Sequence, residues 1–132
     1  MIFLDTSALY ALASAEDAHH DEARAALRAI EASGEELVLH TYVLLETFAL
    51  VHRRHGLAAA VRISRDTSLL PTVVVDRALH DRAVERLRRS RRGRLSLVDA
   101  VSFVVMDDRD VDTAFAFDPD FATAGFRLFE PS

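Results

Sequence analysis

Apolar runs of only three to five residues recur along this chain, and the stretches between them carry apolar residues at helical spacing. The runs are Ile2-Phe3-Leu4, Leu37-Val38-Leu39, Val73-Val74-Val75, Thr113 to Phe117 and Phe126 to Phe129. Runs this short, rich in β-branched and aromatic residues, read as strands and not as buried helices. The intervening segments read as helices: Thr6 to Ala13, His20 to Ala32, Thr41 to His55, Leu57 to Leu70, Arg77 to Arg92 and Ser96 to Asp107. Gly34, Gly56 and Gly93 stop three of them, and Pro71 breaks a fourth. Strand and helix in alternation predict an α/β fold, a three-layer α/β/α sandwich around a short, mostly parallel sheet. The β-branched run at Val73 suits a central strand of that sheet.

At 132 residues, half of them apolar and 28% charged, the chain has the size and balance of one packed globular unit, so residues 1–132 are expected to form a single domain. Wholly apolar stretches, Tyr42 to Leu45 and Phe103 to Met106 among them, are far below the roughly 18 residues of a membrane span. No basic leader opens the sequence, and a cytoplasmic location is expected. There is no cysteine, which excludes thiolate metal sites and cysteine nucleophiles. All 16 basic residues are arginine, which excludes Schiff-base and P-loop chemistry.

Ligands in a parallel α/β sheet bind beyond the carboxyl ends of the strands, and acidic residues collect there. Asp5 follows the first strand, and Asp118 with Asp120 follows the strand at Thr113. Glu46, inside Leu44-Leu45-Glu46-Thr47-Phe48, and Asp99, inside Leu97-Val98-Asp99-Ala100-Val101, lie near the starts of apolar helices. Each has an ordinary structural use taken singly. Asp5 suits a helix N-cap, Ser96 with Asp99 an imperfect capping box, and Asp118-Pro119-Asp120 a turn. Glu46 is the hardest of them to explain in this way. Two like charges about 5 Å apart repel by roughly 3 kcal/mol at an effective dielectric near 20, so converging carboxylates call for a cation. Oxygen donors without thiolates favour Mg²⁺ or Mn²⁺, ions that support phosphodiester hydrolysis by activating water.

Ile2-Phe3-Leu4-Asp5-Thr6-Ser7-Ala8-Leu9, the glutamate at position 46, Leu95-Ser96-Leu97-Val98-Asp99-Ala100, and Ala116-Phe117-Asp118-Pro119-Asp120-Phe121 before Gly125-Phe126 resemble, in order, the four acidic motifs of the PIN domain. The resemblance is strongest to its compact VapC-type variety, the ribonuclease half of bacterial type II toxin-antitoxin pairs. It implies that Asp5, Glu46, Asp99 and Asp118 are the catalytic carboxylates binding Mg²⁺ or Mn²⁺, with Asp120 as a further ligand. It also implies supporting hydroxyls from Thr6, Ser7 and Ser96, the last standing where a threonine is common. Single-stranded RNA would be the substrate, cut endonucleolytically by metal-activated water. The chain would be a homodimer, blocked by a cognate antitoxin protein. Asp118 is preferred to Asp120 as the fourth ligand because it directly ends the strand.

The net charge of -5 gives no overall pull on nucleic acid, yet Arg86, Arg88, Arg89, Arg91, Arg92 and Arg94 crowd together. Such a run either tracks a phosphate backbone or is a solvated helix face, and no aromatic residue lies within it to stack a base. His52 and His55 suit the dipole at a helix C-terminus, and His19 and His20 read as loop residues. Tyr42, Leu45, Phe48 and Ala49 exceed what one small core needs and are candidates for a dimer or antitoxin contact. Receiver domains and dehalogenase-type phosphatases need a lysine that this chain lacks. A catalytically silent binding module and a DNA-directed nuclease remain as alternatives.

Overall fold

The computed structural model describes residues 1–91 and 93–131, and its twelve elements follow the expected alternation. They are β1 (Ile2–Leu4), α1 (Thr6–Ala13), α2 (His20–Ser33), β2 (Leu37–His40), α3 (Thr41–His55), α4 (Leu57–Asp66), β3 (Thr72–Val73), α5 (Arg77–Arg89), α6 (Leu97–Asp108), β4 (Thr113–Phe115), α7 (Asp120–Thr123) and β5 (Arg127–Leu128). The five strands form one sheet in the order β3-β2-β1-β4-β5, and every pairing is parallel. Register places Phe3 beside Val38 on one side and beside Ala114 on the other.

β1 is the central strand and its three residues are all buried, as a strand covered on both faces requires. The chain steps from β1 through β2 to β3, then returns across the sheet to β4 and β5. Right-handed crossovers therefore put α1 to α4 on one face and α5 and α6 on the other, as the α/β/α sandwich predicts. α1 packs against α2 and α3, α3 against α4, and α5 against α6. Phe3, Leu4, Leu39, Phe103, Met106, Phe115 and Phe121 are almost wholly enclosed, each burial contributing roughly 1.5–3 kcal/mol. In α6 every residue from Ala100 to Met106 is buried, which explains its lack of a polar face.

Several boundaries differ from the sequence reading for local reasons. The Val73 run does not form a central strand: β3 lies at the sheet edge, pairs only at Thr72 and Val73, and leaves Val74 71% exposed. Val75 N donates to Thr41 Oγ1 and so leaves the ladder. α4 stops at Asp66, four residues before Leu70, because Thr67 Oγ1 donates to the carbonyls of Ile63 and Ser64 and closes the last turn. α5 ends at Arg89, and Arg92 lies outside the described residues. His20 is the first residue of α2, where the helix reading put it, so only the reading of His20 as a loop residue fails; its Nδ1 pairs with the Ala11 carbonyl at 2.7 Å. β4 ends at Phe115, so neither Phe117 nor Asp118 belongs to the strand, and the short α7 follows.

Candidate active site

The chain reverses its direction of travel across the sheet between β1 and β4, and side chains beyond the carboxyl ends of those two strands share a crevice. Asp5 stands at the end of β1. Its backbone N donates to Phe115 O at the end of β4 (3.1 Å), which ties the two strand ends together. Its side chain caps α1: Oδ2 accepts from Ser7 N at 3.1 Å and from Ser7 Oγ at 2.6 Å. Ser7 Oγ in turn accepts from Phe117 N at 2.9 Å, so one hydroxyl fixes the carboxylate and the loop after β4. Thr6 Oγ1, next to it in sequence, is buried with no hydrogen-bond partner among the described residues.

Asp99 arrives from the other face, in the first turn of α6. It completes a full capping box: its N donates to Ser96 Oγ at 3.0 Å and its Oδ2 accepts from Ser96 N at 3.2 Å. Ser96 thus positions Asp99 through the helix cap. Asp118 lies in the loop after β4, where its Oδ1 accepts from Asp120 N at 2.9 Å and starts the turn into α7. Carboxylate oxygens of Asp99, Asp118 and Asp120 all lie within 4.8 Å of one another. Asp5 and Glu46 are outside that trio but border it. Asp5 feels the charges of Asp99 and Asp118, and Asp99 feels those of Asp118 and Glu46. The fold thus brings Asp99, Asp118 and Asp120 together, with Asp5 and Glu46 near enough for charges to be felt, and Asp5, Asp99 and Asp118 also serve as cap, capping box and turn. Asp118 does not directly end the strand, which stops at Phe115; it and the more buried Asp120 both belong to the trio.

The electrostatics of this edge fit a cation. Asp5 is 4% exposed, and burial pushes its carboxyl up to about 7 despite two hydrogen bonds from Ser7, with Asp99 and Asp118 adding to the rise. Burial raises Asp99 as well, reinforced by Asp118 and Glu46 against the donors of Ser96. Acceptors crowded until their charged forms are disfavoured are what a hard divalent ion relieves, and every donor is oxygen. Asp120 has a guanidinium within reach, Arg94 Nη2 at 3.4 Å from Oδ1, from a side chain that is otherwise exposed.

His40 escaped the sequence reading. It is fully buried and caps α3, its Nδ1 accepting from Tyr42 N at 3.2 Å and Val43 N at 3.3 Å. An acceptor Nδ1 assigns the ring proton to Nε2, which donates to Ser102 Oγ at 2.8 Å; Ser102 donates on to Val98 O at 2.9 Å. Burial lowers His40 to about 4, so the ring is neutral at physiological pH. This relay clamps the start of α3, which carries Glu46, to the start of α6, which carries Asp99. Its one sequence signal is position: a hydrogen-bonding side chain directly before a helix that lacks Ser, Asp or Asn at its cap.

Much of the arginine run is engaged within the fold. Arg88 and Arg89 share Glu85, Arg86 pairs with Asp107 and lies over the Phe103 ring at 5.3 Å, and Arg94 meets Asp120. The aromatic neighbour absent from the run itself is thus supplied by α6. His55 pairs with the Tyr10 hydroxyl at 3.0 Å, and no metal-binding histidine group is found among the described residues.

An acidic cluster at the switch point of an α/β/α sandwich defines a class of domain with a candidate metal site at the carboxyl edge of its sheet. The chain belongs to the PIN domain family, whose match runs over residues 2–127. It is 38% identical over 133 aligned positions to the 23S rRNA-specific endonuclease VapC20 of Mycobacterium tuberculosis, in strains CDC 1551 / Oshkosh and ATCC 25618 / H37Rv, covering 99% of each chain. It also superposes on the crystal structure of M. tuberculosis VapC20, described as a Sarcin-Ricin loop cleaving toxin, with a TM-score of 0.88 at 36% identity, over 99% of this chain and 100% of that one.

Proposed function

We propose that residues 1–132 act as one metal-dependent endoribonuclease domain, the toxin of a type II toxin-antitoxin pair, cutting single-stranded RNA in the cytoplasm. The carrying observation is the convergence of Asp99, Asp118 and Asp120 within 4.8 Å beside the buried Asp5. The 38% identity to an rRNA-specific endonuclease over nearly the whole chain supports RNA as the substrate.

Asp5, Glu46, Asp99, Asp118 and Asp120 would hold Mg²⁺ or Mn²⁺. When bound, such an ion acidifies water and neutralises charge on the phosphate oxygens. The chain's own part is positioning. Ser7 holds Asp5 through Oδ2, and the Ser96 backbone N holds Asp99 through Oδ2. Hydrolysis adds the water oxygen to phosphorus and breaks the bond to one ribose oxygen, which leaves with a proton. The exposed Arg94 guanidinium, already at the cluster's rim, is placed to meet a phosphate oxygen.

Two surfaces support the partner readings. A groove of about 750 Å³ between α1, α2 and α4, with Leu9, Leu12, Leu27 and Ile63 in its lining and Arg24 and Arg62 beside them, suits an antitoxin segment that carries both apolar and acidic residues. Leu45 and Ala49 stand exposed on α3, Leu45 by 67%, and suit contact with a second copy of the chain. No helix among the described residues is long and apolar enough to cross a membrane.

End-mapping of total RNA after incubation with the purified chain tests this reading, with Mn²⁺ or Mg²⁺ against EDTA and against Asp99→Asn. Discrete new ends that need both the metal and Asp99 are expected. Cleavage of single-stranded DNA alone would move the assignment to a DNA-directed nuclease. No cleavage of either would leave a silent binding module.

A further inference from the structure

We propose that the stacked rings of His19 and Phe117 form a seat for one unpaired nucleobase at the rim of the acidic crevice. This rests on the endoribonuclease reading and adds to it a substrate-binding site outside the carboxylates.

His19 occupies the N-cap of α2, a position where a side chain ordinarily accepts a hydrogen bond from the helix, yet it makes none. Its ring lies flat over Phe117, with centroids 4.4 Å apart and planes 9° from parallel. The His19 side chain is 49% exposed, and its other described contact is with Glu22, 3.8 Å from Nδ1 at the ring edge. One face of the imidazole is thus covered by Phe117, while no described contact covers the opposite face.

The pair is anchored from both sides. Phe117 N donates to Ser7 Oγ, the same hydroxyl that holds Asp5, and the next residue is Asp118. The Phe117 ring also packs edge-on against the buried Phe115, with centroids 6.3 Å apart. His19 N donates to Asp17 Oδ1 at 2.8 Å, and His19 O accepts from Ala23 N at 2.8 Å. A flat ring held this firmly loses little freedom when something stacks on it.

The chemistry of the crevice favours a base over other occupants. The carboxylates of this edge repel phosphates, and the Arg94 guanidinium at the rim offsets only part of that charge. Stacking on a flat ring supplies affinity that is indifferent to the phosphate charge and tolerant of base identity. Unstacked bases of single-stranded RNA, splayed away from the backbone, present the face such a seat takes.

The plain alternative is that His19 merely shields Phe117 from water, and two substitutions separate the cases. Leucine keeps an apolar cover, whereas tyrosine keeps a flat ring. On an RNA substrate cut by the parent chain, His19→Leu should raise KM about 5- to 100-fold with kcat within about threefold, and His19→Tyr should restore most of the affinity. A single-stranded oligoribonucleotide carrying 2-aminopurine, mixed with each protein in EDTA, should be quenched by the parent and His19→Tyr but not by His19→Leu. A thermal melt of each variant confirms folding. Equal KM and equal quenching for the leucine and tyrosine variants overturns the seat and leaves a cover or a protein contact. Ring-dependent quenching by a parent chain that cuts no RNA keeps the seat and removes the nuclease reading instead.

Discussion

Two polar centres are buried close together in this molecule, one around His40 and one around Asp5, and they follow opposite rules. At His40 each hydrogen-bonding atom has a counterpart: two backbone donors meet Nδ1, Nε2–H meets Ser102 Oγ, and Ser102 meets the Val98 carbonyl. No charge is present at neutral pH, because burial keeps the ring unprotonated. At Asp5 acceptors outnumber donors, and neighbouring carboxylates push the same way as burial. A matched buried network holds elements together, whereas a mismatched one is kept only where a ligand completes it. Structural and functional polarity can therefore be told apart by whether the donors and acceptors balance.

Removing one carboxylate from the mismatched centre gives the largest contrast. Asp99→Asn should lower cleavage at least 100-fold while the melting temperature stays level or rises, read by RNA end-mapping beside a thermal scan. Unfolding of that variant would mean that the capping box, not the charge, dominates at Asp99.

Asp5 gives a signature in pH. Its carboxyl is raised in the folded chain, so the folded state holds a proton that the unfolded state releases from about pH 4 upward. Stability is fully present below that pH and falls as pH rises through about 7, by at most about 4 kcal/mol. Asp5→Asn, which keeps an acceptor for Ser7, should raise the denaturation midpoint at pH 8 and leave it nearly unchanged at pH 4. Divalent cation added to the parent at pH 8 should act in the same direction.

The matched centre has the opposite slope. The neutral His40 ring favours the folded state above pH 6.5, and that stability is lost as pH falls through about 4. Its contribution is about 3 kcal/mol, and His40→Ala should cost a similar amount by orphaning the Tyr42 and Val43 amides. Urea titrations from pH 4 to 7 should show stability rising with pH in Asp5→Asn and falling with pH in His40→Ala. The smallest effect belongs to the arginine surface: Arg88→Ala should move the melting temperature by no more than about 1 °C, since its pairing with Glu85 lies in water.

The sequence exposed the alternation of strands and helices because three-residue apolar runs cannot serve as anything else in a covered sheet. It misled at Val73, where β-branching speaks to strand formation but not to strand order, which the long return from β3 to β4 decides. α7 was illegible since four residues carry no period. The five carboxylates could be read individually from their places at strand ends and in apolar helices. Their crowding of Asp99, Asp118 and Asp120, with Asp120 the buried member, depended on a turn that Asp118 makes through Asp120 N. His40 stayed hidden because a histidine between a strand and a helix reveals its use only once Ser102, 62 residues away, is packed against it.

The hydrogen bond from Phe117 to Ser7 joins residues 110 positions apart. A ribosome adding roughly 5 to 20 residues per second needs about 5 to 20 s to pass from one to the other. Through that interval the central strand has been made but has no β4 beside it, and the acidic edge does not exist. Whatever this crevice does, it is switched on only after β4 and the Asp118 turn have been made and have folded back beside β1 and Ser7.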